Sequence, residues 1–93
     1  MSKLTLNIVT PNGARAPIQC DSVHLTICDD LSGKGGGSYG IRAGHAKSLL
    51  TLDQGVIRAF LSGQNVLTGK SGTGFATVER NTVTVVAESF LEI

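Results

Sequence analysis

The 93 residues predict an all-β domain, an antiparallel β-sandwich or flattened barrel of about eight or nine short strands. Three observations predict this class. Apolar and polar residues alternate in several short segments, which is the pattern of a strand with one buried face. Turn-forming Gly, Asn and Pro residues separate these segments at short intervals. No segment combines an apolar stripe of helical period with helix caps, so no helix is predicted.

The N-terminal part contains the clearest strand patterns. Residues 4–10 alternate with period two, and the Pro-Asn-Gly sequence at 11–13 predicts a turn, because Asn-Gly tolerates a positive φ. A short strand is expected at residues 17–20. In residues 23–28 the odd positions are Val, Leu and Ile, so one face belongs to the core and Leu25 is expected to be buried.

The rest of the chain continues the same pattern. Loops of hairpins are predicted at residues 62–65 and 79–81. We therefore expect one sandwich domain over residues 1–89 and a C-terminal tail at 90–93. The strands predicted in this part of the chain are residues 39–41, 48–52, 55–61, 66–68, 74–78 and 82–87.

The composition excludes several classes of function. Eight Lys and Arg against seven Asp and Glu leave a net charge of +1, which gives no electrostatic footprint for nucleic acid. Three Phe, one Tyr and no Trp make a base-stacking platform improbable. No apolar run approaches the roughly 18 residues of a membrane span, and no secretory signal is expected. Cys20 and Cys28 are then expected to be free thiols.

Two motifs suggest chemistry, and the residues around them argue against it. Cys20, His24 and Cys28 are spaced like metal ligands, but four residues of strand span about 13 Å, too far for one ion with bonds of about 2 Å. A metal site is therefore not expected. Residues 69–71, Gly-Lys-Ser, resemble the end of a phosphate-binding loop, yet a β pattern follows instead of a helix. A plain turn is predicted there.

Three further candidates have simpler explanations. The glycine-rich residues 33–37 with Lys34 could form an anion-binding nest, but a flexible surface loop is favoured. His45 beside Gly44 is expected to hydrogen-bond the backbone, because no nucleophile elbow occurs in the sequence. The adjacent acids at 29–30 would point to opposite faces of a strand. No catalytic residues and no cofactor are therefore predicted, and the chain is not expected to be an enzyme.

Three segments, taken in order, resemble a known family. They are residues 4–13 (LTLNIVTPNG), residues 39–46 (YGIRAGHA) with 55–58 (GVIR), and residues 81–88 (NTVTVVAE). Their order and spacing resemble the N-terminal β-sandwich domain of the epsilon subunit of rotary F-type ATP synthases. Each segment is weak evidence alone, whereas the ordered set covers nearly the whole chain.

The chain departs from the family pattern around the central motif. The family has Leu-Pro where this sequence has Arg42 and Ala43. Two further prolines of the pattern are replaced by Lys47 and Gln54, and an acidic position by Ser38. The resemblance therefore indicates a divergent member, and it does not fix the detail of the contact surfaces.

The resemblance implies a non-catalytic role at the central stalk. In the family the sandwich packs against the gamma subunit, and one end of it sits on the membrane-embedded c-ring, without entering the membrane. The expected location is the cytoplasmic face of the bacterial inner membrane, as a peripheral part of the complex. Carried onto this sequence, Arg42, Gly44 and His45 lie near the gamma and ring contacts. The expected c-ring contact is formed by Ser32, Gly33, Lys34, Gly35, Gly36, Gly37, Ser38 and Tyr39.

Two functions are compatible with the same residues, a stalk subunit and a stand-alone binding domain. The family usually continues into a C-terminal helical hairpin that can inhibit rotation, whereas the last residue of this sequence is Ile93. The expectation is a subunit that couples gamma to the ring and lacks helix-based inhibition. The alternative is a stand-alone β-sandwich that binds a protein or ligand through residues 33–38, since fold alone does not separate the two.

Overall fold

The computed structural model of the chain describes residues 3–27 and 38–93. Within these ranges the chain forms strands and turns. The strands are β1 (Leu4–Thr10), β2 (Gly13–Cys20), β3 (Ser22–Thr26), β4 (Ser38–Arg42), β5 (Ser48–Leu52), β6 (Gly55–Leu61), β7 (Gln64–Ser71), β8 (Gly74–Glu79), β9 (Thr82–Ala87) and β10 (Phe90–Glu92).

The strands form two five-stranded sheets that pack as a sandwich. The first sheet has the order β2-β1-β9-β8-β5, and the second has the order β10-β7-β6-β3-β4. Every neighbouring pair is antiparallel except β1 and β9, which run parallel in the middle of the first sheet. A parallel pair needs a long crossover, and here the crossover contains most of the second sheet.

Alternating apolar residues from both sheets build the core. In β1 and β9 the inward residues form adjacent rows, with Leu6 opposite Val83 and Ile8 opposite Val85. Leu25 from the second sheet is 1% exposed. The predicted facing of β3 is therefore confirmed, because a side-chain period of two places every second residue between the sheets.

Contacts at both lateral edges join the two sheets. On one side the Arg15 Nε of β2 donates to the Glu92 Oε1 of β10 at 2.7 Å. On the other side Ile27, just after β3, forms an isolated antiparallel bridge with Leu52 of β5. The sandwich is thereby partly closed toward a barrel, which limits the exposed sheet edge.

The predicted all-β sandwich is confirmed, while several boundaries differ. The tail predicted at residues 90–93 is wrong for Phe90–Glu92, which form β10 against β7. The turn predicted at residues 69–71 is also wrong, because they continue β7. The reason is tertiary: the Phe90 ring packs over Gly69, where a side chain would overlap the ring. β2 and β7 are longer than predicted because each pairs along its whole length in a hairpin.

None of the described residues belongs to a helix that is long and apolar enough to cross a membrane.

A charge at Leu25 is expected to abolish folding. Leu25→Asp would bury an unpaired carboxylate between the sheets, at a cost of about 4 kcal/mol or more, which approaches the whole stability of a small domain. Loss of the cooperative thermal transition in circular dichroism checks this. The matched control is Leu49→Asp, because Leu49 is 71% exposed. An intact transition in Leu25→Asp would contradict the assignment of this side chain to the core.

The Arg15–Glu92 pair is expected to make stability depend on acid pH. The hydrogen bond from Arg15 lowers the pKa of Glu92 from its ordinary value of 4.5. A lowered carboxyl pKa adds stability above the ordinary value, and this contribution is lost as pH falls through the folded-state pKa. An NMR titration of the Glu92 carboxyl should show a lower pKa in the native chain than in Arg15→Gln. Equal pKa values in the two proteins would contradict the pairing.

Candidate interaction surface

The turn after β4 is organised by Tyr39 and His45. The Tyr39 hydroxyl lies 2.9 Å from His45 Nε2, and His45 Nδ1 lies 2.8 Å from the carbonyl oxygen of Ala46. A carbonyl oxygen only accepts, so Nδ1 carries the proton and Nε2 accepts from Tyr39. The two rings also meet edge to face, with centroids 5.7 Å apart. His45 therefore orders the turn, and the predicted backbone hydrogen bond of its side chain is present.

The same turn is connected to the β8–β9 hairpin. Gly44 has φ of 84°, a conformation that glycine adopts without strain, and its amide donates to Asn81 Oδ1 at 2.9 Å. Asn81 itself has φ of 60° in the two-residue hairpin turn. Lys47 and Glu79 form an exposed ion pair at 3.1 Å beside this contact. One turn of the second sheet is thus fixed to one hairpin of the first.

The predicted contact residues fall into two groups. Tyr39 and His45 are hydrogen-bonded to each other and Gly44 is bonded to Asn81 in the same turn, whereas Arg42 projects from the outer face of β4 and is exposed. Ser38 is exposed at the start of β4, and Tyr39 is half-buried against the core. The other predicted ring contacts, residues 32–37, lie outside the described residues, as does the candidate anion nest at 33–37. The contact roles of all these residues stay predictions.

The outer face of the first sheet carries an exposed apolar stripe, which sequence reasoning missed. Val9 of β1 lies opposite Val86 of β9, and Val86 lies opposite Phe75 of β8. Phe75 is 45% exposed, and Leu49 on β5, one row further along, is 71% exposed. We call Val9, Val86, Phe75 and Leu49 the apolar stripe. It crosses four strands of a sheet face that is otherwise rich in Thr.

A sequence signal for this stripe exists. Val85 and Val86 are consecutive apolar residues in a strand of period two, so one of them must face outward. The same holds for Val9 after Ile8. The pattern does not show that the outward residues of separate strands lie side by side, because that depends on the register of β1, β9 and β8.

The candidate metal residues do not come together. Cys20 is fully buried at the end of β2, whereas His24 lies on the outer face of β3 against Phe60, with ring centroids 5.5 Å apart. Burial raises the pKa of the Cys20 thiol, and the nearby Asp21 raises it further. Cys28 lies outside the described residues. Within residues 3–27 and 38–93, no group of three or more His, Cys, Asp or Glu side chains could hold a metal ion.

The geometry thus shows a β-sandwich with an ordered turn at one end and an apolar stripe on the outer face of its first sheet. A family model described as the ATP synthase, Delta/Epsilon chain, beta-sandwich domain matches residues 3–93. The chain belongs to this family. No protein of curated function matches it.

Solved structures share the fold at low sequence identity. A chain of the Euglena gracilis mitochondrial ATP synthase, from the cryo-EM structure of its OSCP/F1/c-ring in rotational state 1, superposes with a TM-score of 0.79 at 15% identity. The similarity covers 99% of this chain and 54% of that one. A chain of the central stalk/c-ring structure of the Tetrahymena thermophila mitochondrial ATP synthase gives a TM-score of 0.70 at 16% identity, covering 96% and 66%. This chain thus spans about half to two thirds of the length of these chains.

Substitutions at Asn81 are expected to separate its two roles. Asn81→Gly keeps the positive φ and removes the bond to Gly44, so stability should fall by about 1 kcal/mol. Asn81→Ala also strains the backbone, and we expect a further loss of about 1 kcal/mol. Urea denaturation measures both, and hydrogen exchange at the Gly44 amide should accelerate in both variants. Unchanged exchange at Gly44 would contradict the contact.

Proposed function

We propose that this chain is a non-catalytic central-stalk subunit of an F-type ATP synthase, in which it couples the gamma subunit to the membrane c-ring. The observation that carries the proposal is the family match over residues 3–93, in a fold shared with chains of two mitochondrial ATP synthases. Its place would be peripheral to the membrane. The finer location, the cytoplasmic face of a bacterial inner membrane, is part of the proposal.

The apolar stripe supports a protein partner on the first sheet. Exposed side chains such as Leu49 and Phe75 gain free energy when a partner covers them, because their contact with water is removed. An apolar centre with Thr and charged residues around it is typical of a protein interface. We assign this face to the gamma subunit.

The ordered turn supports a second contact at one end of the sandwich. The turn at Gly44 and His45 is held by Tyr39 and Asn81, and the exposed Ser38 and Arg42 lie beside it on β4, so this end presents a fixed shape. A contact that transmits torque needs such rigidity, because a mobile segment would absorb the motion. We propose that this end contacts the polar surface of the c-ring. Residues 32–37 are part of the same proposal, on the basis of the sequence resemblance alone.

Substitution of the apolar stripe is expected to weaken binding to the gamma subunit of the same organism. Leu49→Ser together with Phe75→Ser should lower the affinity about tenfold or more, because buried aromatic and aliphatic anchors carry much of the binding free energy at interfaces. Size-exclusion chromatography with light scattering shows whether a one-to-one complex forms, and calorimetry gives the affinity.

Leu91→Ser is the matched control, since Leu91 is 69% exposed but lies on the second sheet. It should leave the affinity unchanged. Failure of the native chain to bind gamma at micromolar concentration would overturn the proposed function. Binding by the native chain with equal loss in both variants would instead overturn only the assignment of gamma to the apolar stripe.

A further inference from the structure

The outer face of the second sheet concentrates positive charge. Arg42 of β4, Arg58 of β6 and Lys70 of β7 are exposed there, each beside an inward buried residue. We call these three residues the basic face. The other outward residues of this sheet carry no carboxylate; in the described part of the chain they include Ser22, His24, Thr26, Ser38, Gly40, Val56, Phe60, Asn65, Val66, Thr68 and Leu91.

Unlike Arg15 and Lys47, the cations of the basic face have no carboxylate partner among the described residues. Arg15 pairs with Glu92, and Lys47 pairs with Glu79. Among described residues, no carboxylate comes within ion-pair distance of a basic-face cation. Three positive charges therefore share one face of a chain whose net charge is only +1. A partner that supplies carboxylates would neutralise charge that the domain itself leaves unbalanced.

Strand register places the three cations on one diagonal line. Arg42 shares a row with Ser22, Arg58 lies one row further on, opposite His24, and Lys70 lies another row beyond, opposite Val56. From strand spacing and rise, Arg42 and Arg58 are about 12 Å apart at Cα, Arg58 and Lys70 about 8 Å, and the whole line is about 20 Å long. The β-sheet holds these separations because the backbone is hydrogen-bonded throughout.

The spacing matches carboxylates on one side of an α-helix. Residues seven apart on a helix face the same side at a separation of about 10.5 Å, and a further four residues add about 6 Å. The Arg and Lys side chains are long enough to bridge the small differences between these helix spacings and the Cα separations in the basic face. Val56 and Phe60, both half-buried, lie beside the diagonal and provide apolar contact for the same helix.

We infer that the basic face binds an acidic helical segment of a partner polypeptide, with glutamates or aspartates spaced seven and four residues apart. Two of the three cations are arginines, whose planar guanidinium pairs with carboxylates through two hydrogen bonds. An anionic membrane is less favoured, because lipid-binding segments carry about four to eight Lys or Arg together. The contact proposed for the gamma subunit lies on the opposite sheet, whereas Arg42 also belongs to the end assigned to the c-ring. Arg58 and Lys70 belong to neither proposed contact, so substituting these two tests the basic face separately from the proposed function.

Nearby acidic groups limit the size of this surface. Asp21, Arg42 and His24 border an open cleft of about 660 Å³ at one end of the diagonal. Asp21 Oδ2 accepts a hydrogen bond from the Ser62 amide at 2.8 Å, which holds the carboxylate toward that turn. At the other end Glu88 borders a second cleft beside Lys70. The acidic segment therefore binds between these two carboxylates, along the length of the diagonal.

The test is binding of a labelled, alanine-rich helical peptide of about 16 residues with three glutamates at this spacing, followed by fluorescence anisotropy. A peptide with glutamines at the same positions is the reference, and we expect it to bind at least tenfold more weakly. Affinity for the glutamate peptide should also fall several-fold between about 50 and 200 mM NaCl, because salt screens exposed ion pairs.

Two matched double variants locate the site. Arg58→Gln with Lys70→Gln should reduce the affinity about tenfold, whereas Lys47→Gln with Arg80→Gln removes the same charge elsewhere and should leave it unchanged. Circular dichroism verifies that both fold. Equal loss in the two variants, or equal binding of the two peptides, would overturn the inference. Binding to phosphatidylglycerol vesicles without binding to the glutamate peptide would overturn it too, and would identify a lipid surface as the ligand.

Discussion

The parallel pairing of β1 with β9 is the constraint on which the rest of the structure depends. These strands come from opposite ends of the chain and occupy the first sheet next to each other, with Leu6 opposite Val83 and Ile8 opposite Val85. A shift of one residue would turn each of these side chains to the outer face. The strands between them in the sequence divide between the sheets: β2, β5 and β8 complete the first sheet, and β3, β4, β6 and β7 lie across the core and form most of the second.

Strand register also determines the chemistry of the outer surfaces, in each sheet through its own pairs. In the first sheet, the effect is the apolar stripe. The pairing of β1 with β9 places Val9 beside Val86, and the β8–β9 hairpin adds Phe75, so apolar residues from distant segments form one stripe. On the other sheet, the register of β4, β3, β6 and β7 aligns Arg42, Arg58 and Lys70. A domain with a net charge of +1 thus has one apolar and one basic face. The two faces therefore offer different chemistry to any partner.

Rigidity at the ends comes from contacts between the sheets. Asn81 accepts a hydrogen bond from the Gly44 amide, and Arg15 donates one to Glu92. These side chains at the ends and edges connect the two sheets outside the core. Each contact is small and partly exposed, and together they restrict sliding of one sheet over the other. The network of Tyr39 and His45 has the same effect within one turn.

The sequence by itself determined the all-β class, the core facing of strands such as β3, and the family resemblance. The alternation of apolar and polar residues and the positions of turn residues are local properties of the sequence. An alternation with period two shows which side of a strand is apolar. Only the tertiary structure decided that Phe90–Glu92 are a strand, that residues 69–71 continue β7, and that β1 runs parallel to β9. The apolar stripe and the basic face were decided there as well. The physical reason is that sheet pairing joins residues far apart in the chain through backbone hydrogen bonds. The local pattern of side chains does not reveal which strands these hydrogen bonds join.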